Sequence, residues 1–170
     1  NIIRDQVRKI SVPTVVPSAF IEEFHSRLLS TNSATLVMEA WWGSPLVAHK
    51  VSVRVKPLTI DQKHRLCVED DHDVIHRYTH LYCGRTMVAE ADSWYRPDCL
   101  TEAMCSALLS TECPIGRIIS PLNPVRQTFY TTRSSPPFAL EHRSLLLTDC
   151  GQPCCEVHER FKAPSQPPSS

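Results

Sequence analysis

The sequence predicts one α+β domain, a single antiparallel β-sheet of about six strands with helices packed on one face. Three observations carry this. Segments that alternate apolar and polar residues come in pairs, separated by short turns holding glycine, which is the pattern of hairpins and not of a parallel sheet. Two other stretches repeat their apolar residues at helical spacing. The chain has 170 residues, 42% of them hydrophobic and 21% charged, enough to bury a core without staples.

The elements follow in order. Residues 1–17 carry Pro13 and Pro17 with no clean periodicity and are expected to be loose. A helix is predicted over 18–30, with Ser18 as cap, Glu22 and Glu23 in the first turn, and Phe20, Phe24 and Leu28 as its apolar stripe. Strands over 34–42 and 46–56 flank Gly43-Ser44-Pro45 as a first hairpin, the second strand alternating through Val47, Val51, Val53 and Val55. Strands over 74–82 and 86–94 flank Cys83-Gly84-Arg85 as a second. A helix over 98–110 is expected to be capped by Asp98, with Leu100, Met104, Ala107 and Leu108 facing inward. A shorter strand is read at 126–131, and a third hairpin joins 140–148 to 153–162 through Asp149-Cys150-Gly151-Gln152. The folded domain is thus placed at 18–162, and the Pro/Ser-rich 163–170 is expected to be a disordered tail.

Bulk properties narrow the function. Eighteen basic and eighteen acidic residues cancel, so nothing electrostatic points to nucleic acid or an anionic membrane as partner. No apolar run approaches the roughly 18–20 residues a membrane span needs. No signal peptide is visible, and the expected location is the cytoplasm, although a start at Asn1 leaves room for a removed leader. Eight cysteines occur without a C-x-x-C pair, and adjacent Cys154 and Cys155 point to opposite faces of a strand, so free thiols are expected. The Asp70-Asp71-His72-Asp73 cluster with His76 and His80 is read as solvated loop and strand surface, and no metal is expected. Trp41 and Trp42 straddle a strand end, one of them in the core.

Two charges point the wrong way. In the last strand Cys155, Val157, Glu159 and Phe161 share a face, while Cys154, Glu156, His158 and Arg160 make the wet side. Glu159 is therefore a carboxylate among apolar neighbours. Ile75, Arg77, Thr79 and Leu81 share a face in the same way, which makes Arg77 an inward guanidinium. Burying either charge without a partner costs several kcal/mol. Two arrangements satisfy this: an ion pair between Arg77 and Glu159, or a ligand cavity that both line. In a cavity, a planar guanidinium binds a carboxylate bidentately, and a carboxyl group among apolar side chains can exchange protons near neutral pH.

At these residues the chain resembles the chorismate lyase family. Val74-Ile-His-Arg-Tyr-Thr-His-Leu-Tyr82 and Met87-Val-Ala-Glu-Ala-Asp-Ser93 resemble its central hairpin, with an R-x-x-x-L strand and an A-x-S strand. Pro97-Asp-Cys-Leu100 and Cys113-Pro-Ile-Gly-Arg117 resemble "P-x-x-L, helix, P-[LI]-G". Gly151-Gln-Pro153 with His158-Glu-Arg-Phe161 resembles the closing "G-x-P…E-x-F", and Ala34-Thr-Leu36 the opening strand. The similarity runs from about residue 20 to 162, carried by shared order and not by any single motif. It implies conversion of chorismate to 4-hydroxybenzoate and pyruvate without a cofactor, and the chain itself is expected to be a monomer or dimer. Arg77 would hold a substrate carboxylate, Glu159 would be the general acid/base, and Ile115 and Gly116 would touch the ligand through backbone amides. Arg126 falls where the family often has an arginine for a second carboxylate. Two rival readings remain. The ligand-sensing domains of GntR-type regulators share this fold and bind small effectors without turnover, and a related biosynthetic enzyme would act on another substrate.

Overall fold

The computed structural model describes residues 19–170. The loose segment expected over 1–17 and the Ser18 cap lie outside the described residues. Five helices and six strands follow in the order α1 (Ala19–Leu29), α2 (Ala34–Trp42), β1 (Leu46–Arg54), α3 (Ile60–Leu66), β2 (Ile75–Cys83), β3 (Thr86–Tyr95), α4 (Glu102–Ser110), α5 (Ile115–Ile118), β4 (Val125–Arg133), β5 (Leu140–Leu147) and β6 (Pro153–Phe161). The strands form one antiparallel sheet in the order β1-β2-β3-β6-β5-β4. Two three-stranded meanders therefore meet along β3 and β6. Gly84 and Gly151, both at positive φ, make the turns of the β2–β3 and β5–β6 hairpins.

The fold class stands as predicted, but two elements differ besides the single-turn α5, which the sequence reading has as a turn. Residues 34–42 are a helix, not the first strand of a hairpin. Ser33 accepts a hydrogen bond from the Leu36 amide at its start, and Gly43 at φ 69° closes it. Its buried residues Ala34, Thr35, Met38 and Trp41 recur at helical spacing. Bulky Val37, Trp41 and Trp42 give the segment strand-like composition, and packing against the sheet overrides that. The second is α3, which the sequence reading leaves unassigned. Thr59 and Gln62 form a reciprocal capping box there. Asp98 does not cap α4: it pairs with Arg96 in a 3-10 turn, and Thr101 accepts the capping bond from Met104.

Helices α1, α2, α4 and α5 cover one face. Phe24, Leu28, Met38 and Trp41 pack on Leu81, Ala89 and Phe161 toward one end, and Leu108 and Ile119 pack with Tyr95, Leu146 and Val157 toward the other. Helix α3 screens part of the opposite face, which corrects the reading of Cys154, Glu156, His158 and Arg160 as a wet side. Cys154 and Glu156 are fully buried. Burial alone would raise the Glu156 pKa, but hydrogen bonds from His158 (2.8 Å), Arg65 (2.5 Å) and Gln62 (3.1 Å) prevail and hold it down at about 2. His76, also taken as surface, is buried and bonded to Asp92 at 2.6 Å. The eight cysteines are free. The Pro/Ser segment 163–170 has neither helix nor strand, yet Trp41 Nε1 donates to the Gln166 carbonyl (2.9 Å) and the Ser169 amide donates to the Trp41 carbonyl (2.9 Å).

Candidate functional site: a polar belt across the covered face

Antiparallel register converts strand alternation into rows that cross the sheet. On the helix-covered face one row reads Leu81, Ala89, Phe161, Leu140, and another reads Ile75, Tyr95, Cys155, Leu146. Between these apolar rows lie two others: Thr79, Ala91, Glu159, His142 and Arg77, Ser93, Val157, Ser144. Six of those eight residues are polar or charged, and all six are buried. Ordinary core packing has no use for such a belt, since each buried polar group must find a partner or cost free energy.

Four of the six polar belt residues, Arg77, Thr79, Ser93 and Glu159, line a cavity of about 40 Å³, measured to the centre of a water molecule and roofed by α2 and α5. Arg77, Glu159, Ile115, Gly116 and Arg126, the five site residues expected from the sequence, all line it. Glu159 does not pair with Arg77. Its Oε1 accepts from Arg126 Nη2 at 2.5 Å, and both side chains are buried. Arg77 is only 1% exposed, and its Nη2 donates to the Cys113 (3.1 Å) and Thr111 (3.4 Å) carbonyls. No carboxylate among the described residues lies within 4.0 Å of it, and its Nε has no partner. Burial pushes its guanidinium pKa down. Around the cavity, two guanidinium groups face one carboxylate, leaving one positive charge in excess.

His142 carries the belt onto β5, beside Glu159. It is fully buried, its Nε2 sits 2.9 Å from His25 Nδ1 on α1, and its own Nδ1 is unpartnered. Burial first, then Arg126 and His25, push its pKa down to about 4. The folded state therefore refuses a proton that the unfolded chain accepts below about pH 6.5, so stability falls as pH drops through that value and levels off near 4. Between pH 7 and 5 this gives a loss of about 2 kcal/mol. Urea unfolding at the two pH values should show the loss in the wild type and not in His142→Leu; an equal slope in both would assign it to other groups.

No family model matches the chain. Protein y4mC of Sinorhizobium fredii is 31% identical over an alignment of 175 residues that spans 84% of this chain and 73% of that protein. The chain belongs to the y4mC family. For the fold of this y4mC-family member, solved structures add a second comparison. The ligand-binding domain of a GntR-family transcriptional regulator from Bordetella bronchiseptica superposes with a TM-score of 0.55 at 13% identity, over 75% of this chain and 89% of that one. The effector domain of PhnF from Mycobacterium smegmatis gives 0.58 at 11%, over 77% and 88%. Against intact PhnF the chain spans 65% of the length, with a TM-score of 0.59 at 10% identity. At such identities the likeness is one of fold: a GntR effector domain and this y4mC-family member share the chorismate lyase-like sheet. Among the described residues no helix is long and apolar enough to cross a membrane, and no group of three His, Cys, Asp or Glu side chains could hold a metal ion.

Thr35 and Thr79 also line the cavity and were missed from the sequence of this y4mC-family member. Thr79 alternates with Arg77 and could have been found by the same argument. Thr35 was hidden because 34–42 reads as a strand.

Proposed function

We propose that this chain is a small-molecule binding domain whose cavity takes the acid group of an organic anion on Arg77. One observation carries the reading: a guanidinium that is 1% exposed has only neutral carbonyl acceptors and no counter-ion. Desolvating a cation costs several kcal/mol, and an arriving carboxylate recovers it through a charge-assisted bond. The excess of one positive charge suits a ligand with one negative charge. Backbone groups at Ile115 and Gly116 lie on the opposite wall, where α5 begins, and complete the enclosure. The kinship in fold with effector domains of regulators supports binding without turnover. The test is a thermal-shift and calorimetric screen of small carboxylic acids, 4-hydroxybenzoate among them, against wild type and Arg77→Met. Binding confined to the wild type is expected; acids that stabilise both proteins equally would remove Arg77 from the site.

A second reading, a lyase converting chorismate to 4-hydroxybenzoate and pyruvate or a related biosynthetic enzyme, is favoured by the placing of both Arg77 and Glu159 on the same cavity wall. In that chemistry Arg77 holds a ring or side-chain carboxylate, Glu159 takes the proton from the hydroxyl-bearing ring carbon and passes it to the departing enolpyruvate oxygen as the neighbouring ether C–O bond breaks, and aromatisation drives the elimination. To act, Glu159 must first leave its bond to Arg126. Stoichiometric pyruvate from chorismate, abolished by Glu159→Gln, would establish it, and its absence alongside acid binding would leave the sensor reading alone.

A further inference from the structure

The buried cavity is much smaller than the space at its mouth. Its 40 Å³ holds about three water molecules, or the head of an acid and little more. A groove of about 420 Å³ lies directly outside, and Asn32, Ser33, Thr35, Gly116 and Pro124 line both. We propose that groove and cavity form one two-part site, and that the ligand is an acid with an uncharged, hydroxyl-bearing body that lies in the groove between α2 and α5. The proposal rests on the anion reading of Arg77 and names the class of acid.

Three observations support it. The partition between the two spaces is thin and fitted: a Cβ on Gly116 would lie 2.8 Å from Thr35 Oγ1, and Gly116 has no positive φ to explain its being glycine. Close approach is thus the reason for glycine there, and the seam is where the spaces join. Thr35 is 7% exposed, lines both spaces, and its hydroxyl has no hydrogen-bond partner among the described residues. A hydroxyl that lines both spaces and has no protein partner is available to a ligand or to water. The groove itself offers hydrogen bonds without charge. Asn32, Ser33, Ser120 and Asn123 line it, and the Arg117 guanidinium there is neutralised by Glu39. The Asn123 side chain, in a left-handed turn at φ 48°, makes no hydrogen bond among the described residues. Such a wall suits hydroxyl groups better than a flat aromatic ring, whose edge would cover the Asn123 amide without bonding it.

Protein-observed NMR titrations with acetate, 4-hydroxybenzoate, gluconate and glucuronate decide the matter. In the wild type at least one polyhydroxy acid should bind about tenfold more tightly than acetate, the worth of one or two added hydrogen bonds. In Asn123→Leu/Ser120→Ala that ratio should collapse toward one. Gly116→Ala should weaken the polyhydroxy acid as well, and Gly116→Ala/Thr35→Ala should recover only part of that loss, because the clash is relieved while the Thr35 hydroxyl is lost to the ligand. If acetate binds and the polyhydroxy acids gain nothing, or 4-hydroxybenzoate is the tightest of the four, the groove subsite is wrong while Arg77 stands. If no acid binds, acetate included, the anion site falls and the groove with it.

Discussion

The Arg77→Met protein should bind no carboxylic acid and yet unfold at a temperature no lower than the wild type. Most replacements of a fully buried side chain destabilise, so the prediction has an unusual sign. Its basis is the missing counter-ion. Arg77 is desolvated, and in return it has two bonds to the Thr111 and Cys113 carbonyls and an Nε bonded to nothing. Methionine has comparable length and no charge to desolvate. Against that gain stand the two released carbonyls, at about 1–3 kcal/mol if they stay unsatisfied, and some loss of packing. The terms come out near balance or in favour of methionine, as when buried ionic groups elsewhere are replaced by apolar ones of similar size. Binding behaves oppositely. Truncating one side of a buried charged hydrogen bond costs about 2–5 kcal/mol, at least thirtyfold in affinity. Calorimetry with the tightest acid and thermal unfolding of both proteins without ligand read the two effects separately. A fall in unfolding temperature of more than about 5 °C, over 1 kcal/mol for a domain of this size, would make Arg77 a strut for the 111–113 segment and not a site held ready at a cost in stability.

That Arg77 and Glu159 are misplaced charges is legible in the sequence, because strand alternation needs no tertiary information. What faces them is not. Glu159 could be matched to Arg77 on composition alone, but register sets them in different rows, Glu159 beside His142 and Ala91, Arg77 beside Ser93. The true partner, Arg126, comes from the edge strand at the far side of the sheet, and its reach across β5 depends on geometry that no local pattern encodes. The family resemblance points to Arg126 as a ligand residue and the structure puts it on the cavity wall, but the resemblance says nothing of its bond to Glu159. The helix errors have a local cause. Ser33 before Ala34, with Met38 and Trp41 following at helical spacing, and Thr59 three residues before Gln62, are start signals that were present, but valine and tryptophan outweighed the first and a charged loop obscured the second. The burial of Glu156 follows from the same omission: without α3 there is nothing to cover it.

Glu159→Leu should be the most destabilising single replacement in the belt. It leaves the Arg126 guanidinium buried with its Nε unpartnered and its carboxylate gone, a loss of about 3–5 kcal/mol for breaking one side of a buried pair, or a fall in unfolding temperature on the order of 10 °C. Arg126→Met should cost a similar amount by stranding Glu159. The double replacement Arg126→Met/Glu159→Leu should recover most of either loss, since the pair is compensated within itself and apolar groups of like volume fill its place. Urea unfolding of the four proteins gives the coupling energy directly. Its size also bears on chemistry. A coupling of several kcal/mol means that the carboxylate is held as part of the wall, and a proton transfer from Glu159 would have to overcome that hold before any substrate gained from it. A coupling below about 1 kcal/mol, the range of solvent-exposed pairs, would show that Arg126 lets go readily, and the lyase reading would then gain on the sensor. The same cycle repeated with an acid bound to Arg77 shows whether ligand and pair communicate: an unchanged coupling makes Glu159 and Arg126 scaffold, while a coupling that weakens on binding makes them part of the response to the ligand.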